Sequence, residues 1–393
     1  MSLFWGMEKM EEKICLCALN RAFGFEPKTA LALISHLGSA SRVFRLSEKE
    51  TDILLGPFSK HKGKICRKAF EESAEELEQL SARGIQFCGI TEECYPPLLK
   101  ECKDAPIGLY IRSGTPASAL WNDRSVAVVG TRDISPYGKD WCRKLVKGLA
   151  LTDHRPTIVS GLALGVDIEA HRTALEHGLP TIAVMATGPE DVYPYRHRET
   201  AERIASTPGC ALITDYPPGT APLAIHFLRR NRIIAGLSKA VVLVESKIKG
   251  GGMMTCRLAF SYDRDVYALM GRADDIRSQG CNELIRKKIA EPITSEASLI
   301  EELGMKSVTR FHQISDMERI RLGYSGRICD EDIRLMAQIM SVVRTRRGIT
   351  VEELGIALGT GYRKTAELTG ILEIDGFIMT DLLQRCSINP KIM

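Results

Sequence analysis

Between residues 125 and 269 the chain repeats one pattern six times: a short, nearly all-apolar run followed in most cases by a longer amphipathic stretch. The runs are 125–129, 157–159, 181–185, 211–213, 240–244 and 265–269, and helical periodicity marks 140–149, 167–177, 199–205, 227–235 and 254–261. A strand that is apolar on both faces must be covered on both faces, and parallel strands with crossover helices achieve this. The pattern therefore predicts an α/β fold, an extended Rossmann-like doubly wound parallel sheet. Ligands of such sheets sit beyond the carboxyl ends of the strands.

The flanks read differently. Residues 8–19 and 27–37 carry apolar positions at helical spacing, Pro27 opens and Gly38 closes the second, and 68–80 is a charged amphipathic helix. The stretch from Gly24 to Ala30 resembles a helix-hairpin-helix loop, whose backbone N–H groups meet phosphate. Glu26 stands where such loops often have a second glycine, and a carboxylate repels phosphate, so packing is the expected role. A polar connector over 301–327 carries Lys306, Arg310, Arg319, Arg321 and Arg327. Residues 328–386 read helix, helix, helix, ribbon, the order of a winged helix. The expected domains are a SAM/helix-hairpin-helix-like helical domain (1–80), the extended Rossmann-like domain (81–300), a linker (301–327) and a winged-helix domain (328–393).

A length of 393 residues with 44% hydrophobic and 26% charged residues suits a multi-domain globular protein. No run of 18 apolar residues exists, so no membrane partner is expected. The start, MSLFWGMEKMEEK, lacks the order of a signal peptide, which points to the cytoplasm. With 53 Lys+Arg against 49 Asp+Glu the net charge is +4, so only the placement of charge can identify a nucleic-acid partner. The 12 cysteines form no CxxC pair and the eight histidines no HxxxH or HExxH. No metal ligand set is expected, and the cysteines read as reduced, mostly buried thiols.

The chemistry sits at the strand ends. Residues 126–132 (VAVVGTR) run from a buried strand through Gly130 and Thr131 to Arg132, then to Ser135 and Gly138 before a helix. GxGxxG is absent, so no dinucleotide or other cofactor is expected, but a guanidinium here suits a phosphate. Residues 158–167 (IVSGLALGVD) place Ser160, Gly161, Leu162 and Ala163 in a second strand-to-helix turn, with Asp167 and His171 one helical turn apart. No GxSxG elbow surrounds Ser160, so no catalytic residues are assigned. Residues 227–236 (FLRRNRIIAG) hold Arg229, Arg230, Asn231 and Arg232, which cannot all face one ligand from a helix. A fourth turn carries Lys247, Lys249, Gly250, Gly251 and Gly252 before Thr255, and a fifth carries Asn282. Basic, glycine-rich turns gathered at one sheet edge suit several phosphates, or a nucleotide chain.

GTRxxSxYG, VSGLAxGxDxxAH, YPY near Tyr193, FxxRNRIIAGLS, the glycine turn and GCNxLI occur in order. Together they resemble the DprA/Smf family of DNA-processing proteins over about residues 85–295. The resemblance implies single-stranded DNA as ligand, a homodimer, and a non-enzymatic recombination mediator that loads RecA in natural transformation. Carried over by motif, the DNA-binding positions are Gly130, Thr131, Arg132, Ser135, Gly138, Ser160, Gly161, Leu162, Ala163, Arg230, Asn231, Arg232, Lys247, Gly250, Gly251, Gly252, Thr255 and Asn282. Leu228 stands where the family usually has proline, and Asp215 where glutamate is usual.

Two other readings compete. A nucleoside-monophosphate phosphoribohydrolase of related fold would carry PGGxGTxxE; the comparable GGGMMTCRLAF has no acid after Thr255 until Asp263. A winged-helix transcription regulator would need a basic recognition helix, but 361–373 mixes Arg363 and Lys364 with Glu367 and Glu373. A protein contact suits that helix better.

Overall fold

The computed structural model describes residues 2–24, 26–307, 320–321, 323–324, 326–346 and 348–389. Phe25 of the hairpin-like stretch, and 308–319 of the connector with Arg310 and Arg319, lie outside the described residues. The chain forms two compact units, Met1–Ser307 and Val308–Met393.

The first unit begins with α1 (Ser2–Phe23), α2 (Pro27–Leu37), α3 (Ala40–Phe44), α4 (Glu48–Leu55) and α5 (Arg67–Ala82). Pro27 at the first turn of α2 and a left-handed Gly38 at its end bound that helix as the sequence predicts. β1 (Ile85–Gly89), α6 (Pro97–Lys100) and β2 (Gly108–Arg112) follow. Then strands and helices alternate: β3 (Val126–Val129), α7 (Pro136–Ala150), β4 (Ile158–Ser160), α8 (Val166–Glu176), β5 (Thr181–Val184), α9 (Arg198–Ser206), β6 (Ala211–Thr214), α10 (Ala224–Leu237), β7 (Ala240–Leu243), α11 (Gly251–Ser261), β8 (Asp265–Leu269), α12 (Gln279–Arg286), β9 (Glu291–Ile293) and α13 (Glu296–Glu302).

One sheet of nine strands runs β1-β2-β6-β5-β4-β3-β7-β8-β9. β3 to β9 pair in parallel, and β1 and β2 extend the β6 edge antiparallel. Side-chain alternation splits the core in two. Val126 and Val128 of β3 pack with Leu145 and Leu149 of α7 and Val166 of α8 on one face. Ala127 and Val129 pack with Ile233 and Ile234 of α10 and Met253 of α11 on the other. That second cluster continues through Leu109 and Ile111 to Leu16, Leu19 and Phe23 of α1, so the N-terminal helices share the core of the sheet.

Glu26 is held by Lys60 and by the His61 ring at 3.0 Å. Its charge is spent inside the N-terminal helical region. The expectation of reduced thiols is corrected at one place: Cys88 and Cys94 form a disulfide, and the other ten cysteines are free. The two sulfurs and a Glu92 carboxylate oxygen lie within 4.8 Å of one another. Bonded to each other, the cysteines offer no thiolate to a metal.

The second unit holds α14 (Asp330–Thr345), β10 (Ile349–Thr350), α15 (Val351–Leu358), α16 (Tyr362–Ile374), β11 (Ile378–Thr380) and β12 (Arg385–Ile388). Thr350 and Glu353 form a capping box at the start of α15. The strands make an antiparallel sheet in the order β10-β12-β11. Ile339 and Met340 of α14, Leu354, Leu368 and Cys386 fill its core. Three helices and a small sheet in this order make a winged helix. Lys364 of α16 is tied to Asp332 at 2.7 Å. No described helix is long and apolar enough to cross a membrane.

Candidate nucleic-acid interface

β3 and β7 are neighbours, but the chain winds from β3 toward β4 and from β7 toward β8, in opposite directions along the sheet. Loops leaving such a pair of strands splay apart and open a crevice at their carboxyl ends. Here they open a cleft of about 490 Å³. Gly130, Thr131 and Arg132 line it from the β3–α7 loop, and Ala163 from the β4–α8 loop. Arg230 and Asn231 line it from α10; Lys247, Lys249 and Gly250 line it from the β7–α11 turn, and Gly251, Gly252 and Thr255 from the start of α11.

Glycines let the cleft loops approach closely at two places. A Cβ on Gly252 would lie 2.6 Å from Leu243 Cδ1 and 3.3 Å from the Gly130 Cα, so the two loops meet backbone to backbone. Gly165 has φ +75°, and a Cβ there would strike the Thr131 carbonyl. That carbonyl accepts the Val166 N–H at 3.1 Å, which fixes the start of α8 against the β3–α7 loop.

Charge divides the cleft into a rim and a floor. Arg132, Lys247 and Lys249 are exposed on the rim. Among the described residues none of the three has a carboxylate partner. The Arg132 guanidinium lies 5.2 Å from the centre of the Phe227 ring, which sets its direction. Asp133 also lines the rim, but Arg277 neutralises it at 2.8 Å. On the floor, the buried Arg230 donates to the Gly161 carbonyl at 2.6 Å and to the Val184 carbonyl. Burial pushes its pKa down to about 10, with Asp167 opposing the shift. Burial raises the Asp167 carboxyl in turn, with Arg230 as the main opposing charge. The floor is therefore self-compensated, and the free positive charge sits on the rim.

Two helices begin at the cleft. The first turn of α8 carries Asp167 and Glu169, so its positive end meets its own acids. α11 has no acid in its first turn. Its Met253 N–H donates to the Gly250 carbonyl at 3.2 Å, and the N–H groups ahead of it have no intrahelical acceptor. That end remains available to an anion.

Several motif residues hold the cleft from behind its wall. Ser135 caps α7: its hydroxyl accepts from the Gly138 N–H at 3.0 Å and donates to Glu245. Its own N–H donates to Glu245 at 2.9 Å, and Gly138 leaves room for that carboxylate. The Ser160 hydroxyl donates to the Val128 carbonyl at 2.6 Å. The Gly161 N–H donates to Asp167 at 3.1 Å. Leu162 is buried, with φ +56° and its carbonyl bonded to His197 at 2.8 Å. Asn282 braces Gly271 through both ends of its amide, at 3.3 and 3.0 Å. None of these six is on the cleft wall.

The arginines of α10 diverge as helical geometry requires. Arg229 reaches the Gly24 carbonyl at 3.1 Å, and Arg230 faces the cleft. Arg232 is buried on the Asp215 carboxylate and the Asp104 carbonyl, away from the cleft. Asp215 is thus the counter-ion of Arg232. Ser160, Asp167 and His171 form no relay. His171 bonds Thr181 Oγ1 at 2.8 Å, and burial pushes its pKa down to about 3. Asp167 and His171, one helical turn apart, face different partners: the Gly161 N–H and Thr181 Oγ1. Phe227, which directs Arg132, and Glu245, which holds Ser135, are not among the DNA-binding positions carried over by motif; for Phe227 the sequence signal is an aromatic at the start of an arginine helix.

The family model described as DNA recombination-mediator protein A matches residues 86–304, more than half of the chain. The chain belongs to this family. It is 38% identical over 213 residues to DNA processing protein DprA of Streptococcus pneumoniae, covering 54% of this chain and 72% of that protein. It is 37% identical over 237 residues to Protein Smf of Escherichia coli, covering 60% of this chain and 61% of that one. The X-ray structure of the streptococcal protein superposes with a TM-score of 0.61 at 30% identity, over 72% of this chain and 95% of that one. The family description is that of a DNA recombination mediator, and the matched segment contains the whole cleft.

Proposed function

We propose that the switch-point cleft binds the phosphates of single-stranded DNA, and that the chain acts in the cytoplasm as a homodimeric mediator loading RecA during DNA uptake. One observation carries the reading. Three exposed cations without ion-pair partners among the described residues, Arg132, Lys247 and Lys249, surround the acid-free end of α11. Unpaired rim charges attract a polyanion and keep their hydration until it arrives. A strand of bases needs no metal and no reacting pair, and the carboxylates on the wall, Asp133 and Asp167, are already committed.

The remaining motif positions act in this reading as supports. Ser135, Gly138, Ser160, Gly161, Leu162 and Asn282 shape the loops, and Arg230 stiffens the floor. The test is an anisotropy titration of fluorescent oligothymidylate with wild type and Arg132→Ala. Wild type binds at low salt, and the variant binds roughly tenfold more weakly, as loss of a charge-assisted bond predicts. Equal affinities overturn the assignment of the cleft. RecA assembly on strands covered by a single-strand-binding protein then tests loading; the chain shortens the lag, and an unchanged lag refutes the mediator role.

A further inference from the structure

We infer that a strand held in the switch-point cleft continues into a second cavity, beside the β5–α9 loop, that receives its bases on Tyr193 and Tyr195. The inference rests on the single-strand reading above and extends it from phosphate to base. The second cavity has a volume of about 790 Å³. Tyr193 belongs to its wall, and its ring meets Phe227 edge to face at 5.4 Å. Phe227 carries the Arg132 guanidinium on its other contact, at 5.2 Å. A contiguous pair of aromatic rings therefore joins the two sites. Beyond it the Tyr195 ring is 73% exposed, with the Arg198 guanidinium 5.8 Å from its centre. Aromatic rings and guanidinium planes presented to solvent in series are what successive bases stack on.

Charge decides which part of the nucleotide belongs there. The first cleft has a surplus of unpaired cations. In the second cavity Arg83 is paired with Glu190 and Arg112 with Glu202. A balanced wall exerts little pull on a phosphate. It still offers donors and acceptors at fixed positions: carboxylates accept from exocyclic amines, and guanidinium groups donate to the acceptor edge of guanine. Stacking accepts every base, and the polar wall adds a modest preference.

The test compares oligothymidylates of about 4 and about 16 nucleotides, the range one binding fold occupies. Tyr195→Ala changes an exposed side chain and leaves the core intact. Affinity for the long oligonucleotide is expected to fall at least about fivefold in Tyr195→Ala, the lower end of the loss of one stacked base. The short one, held by the phosphate cleft, is unaffected, and Tyr195→Phe behaves as wild type. Replacing one end of the long oligonucleotide with abasic sites reproduces the loss on wild-type protein. Unchanged long-strand affinity in Tyr195→Ala, or equal losses at both lengths, overturns the base cavity alone. Wild type that binds neither length overturns both readings.

Discussion

Arg232→Ala separates an arginine that grips DNA from one that holds the fold. Arg232 and Asp215 are only 7% and 6% exposed. The guanidinium bonds Asp215 Oδ2 and the Asp104 carbonyl, and among the described residues Asp215 Oδ1 has no hydrogen-bond partner. Removing one member of a buried pair strands the other charge and costs about 3–5 kcal/mol. At about 2–4 °C per kcal/mol in a large domain, the unfolding midpoint falls by roughly 10 °C. The side chain is off the cleft wall, so single-strand affinity of the folded variant changes by less than about twofold. Urea denaturation followed by circular dichroism reads the first effect, and anisotropy below the transition reads the second. The double variant Arg232→Met, Asp215→Leu removes both charges and recovers most of the stability. An Arg232→Ala protein of wild-type stability that has lost DNA binding refutes this reasoning.

Two further perturbations follow from the same geometry. Glu245→Ala strips the acceptor from the Ser135 N–H and hydroxyl, two bonds to a charged group, and lowers stability by about 3 kcal/mol or more; a chemical denaturation midpoint equal to wild type contradicts it. His171 is held neutral, its pKa lowered from 6.5 to about 3. Between those values the unfolded chain binds a proton that the folded chain does not, so stability falls with acidification by about 1.4 kcal/mol per pH unit from this group. His171→Gln therefore flattens the stability profile between about pH 6 and pH 4, and a profile as steep as wild type rules the buried histidine out as the cause.

The parallel half of the sheet was legible because β3 to β8 are short, apolar and locally periodic. β1, β2 and β9 were not named from sequence. β1 and β2 take their place from each other and from β6, through long-range antiparallel pairing, and β9 consists of Glu291, Pro292 and Ile293, a poor strand signal. The cleft itself was legible in its glycines and rim cations, since sheet topology fixes where strand-end loops gather. The direction of each side chain was not. Arg230 and Arg232 differ by two positions, and only the placement of Asp215 and of the Gly161 carbonyl decides which one faces the cleft. Likewise Ser135 and Ser160 read as phosphate donors until Glu245 and the Val128 carbonyl are seen to occupy them. The Cys88–Cys94 disulfide has no sequence signature at its six-residue separation.

The most direct test of the central claim is the salt dependence of single-strand binding. Each phosphate neutralised contributes about 0.7 to the slope of log affinity against log salt. If Arg132, Lys247 and Lys249 each meet a phosphate, the wild-type slope is about −2 or steeper, and each alanine substitution makes it shallower by about 0.7. Binding that ignores salt, or slopes unchanged by all three substitutions, contradicts the account.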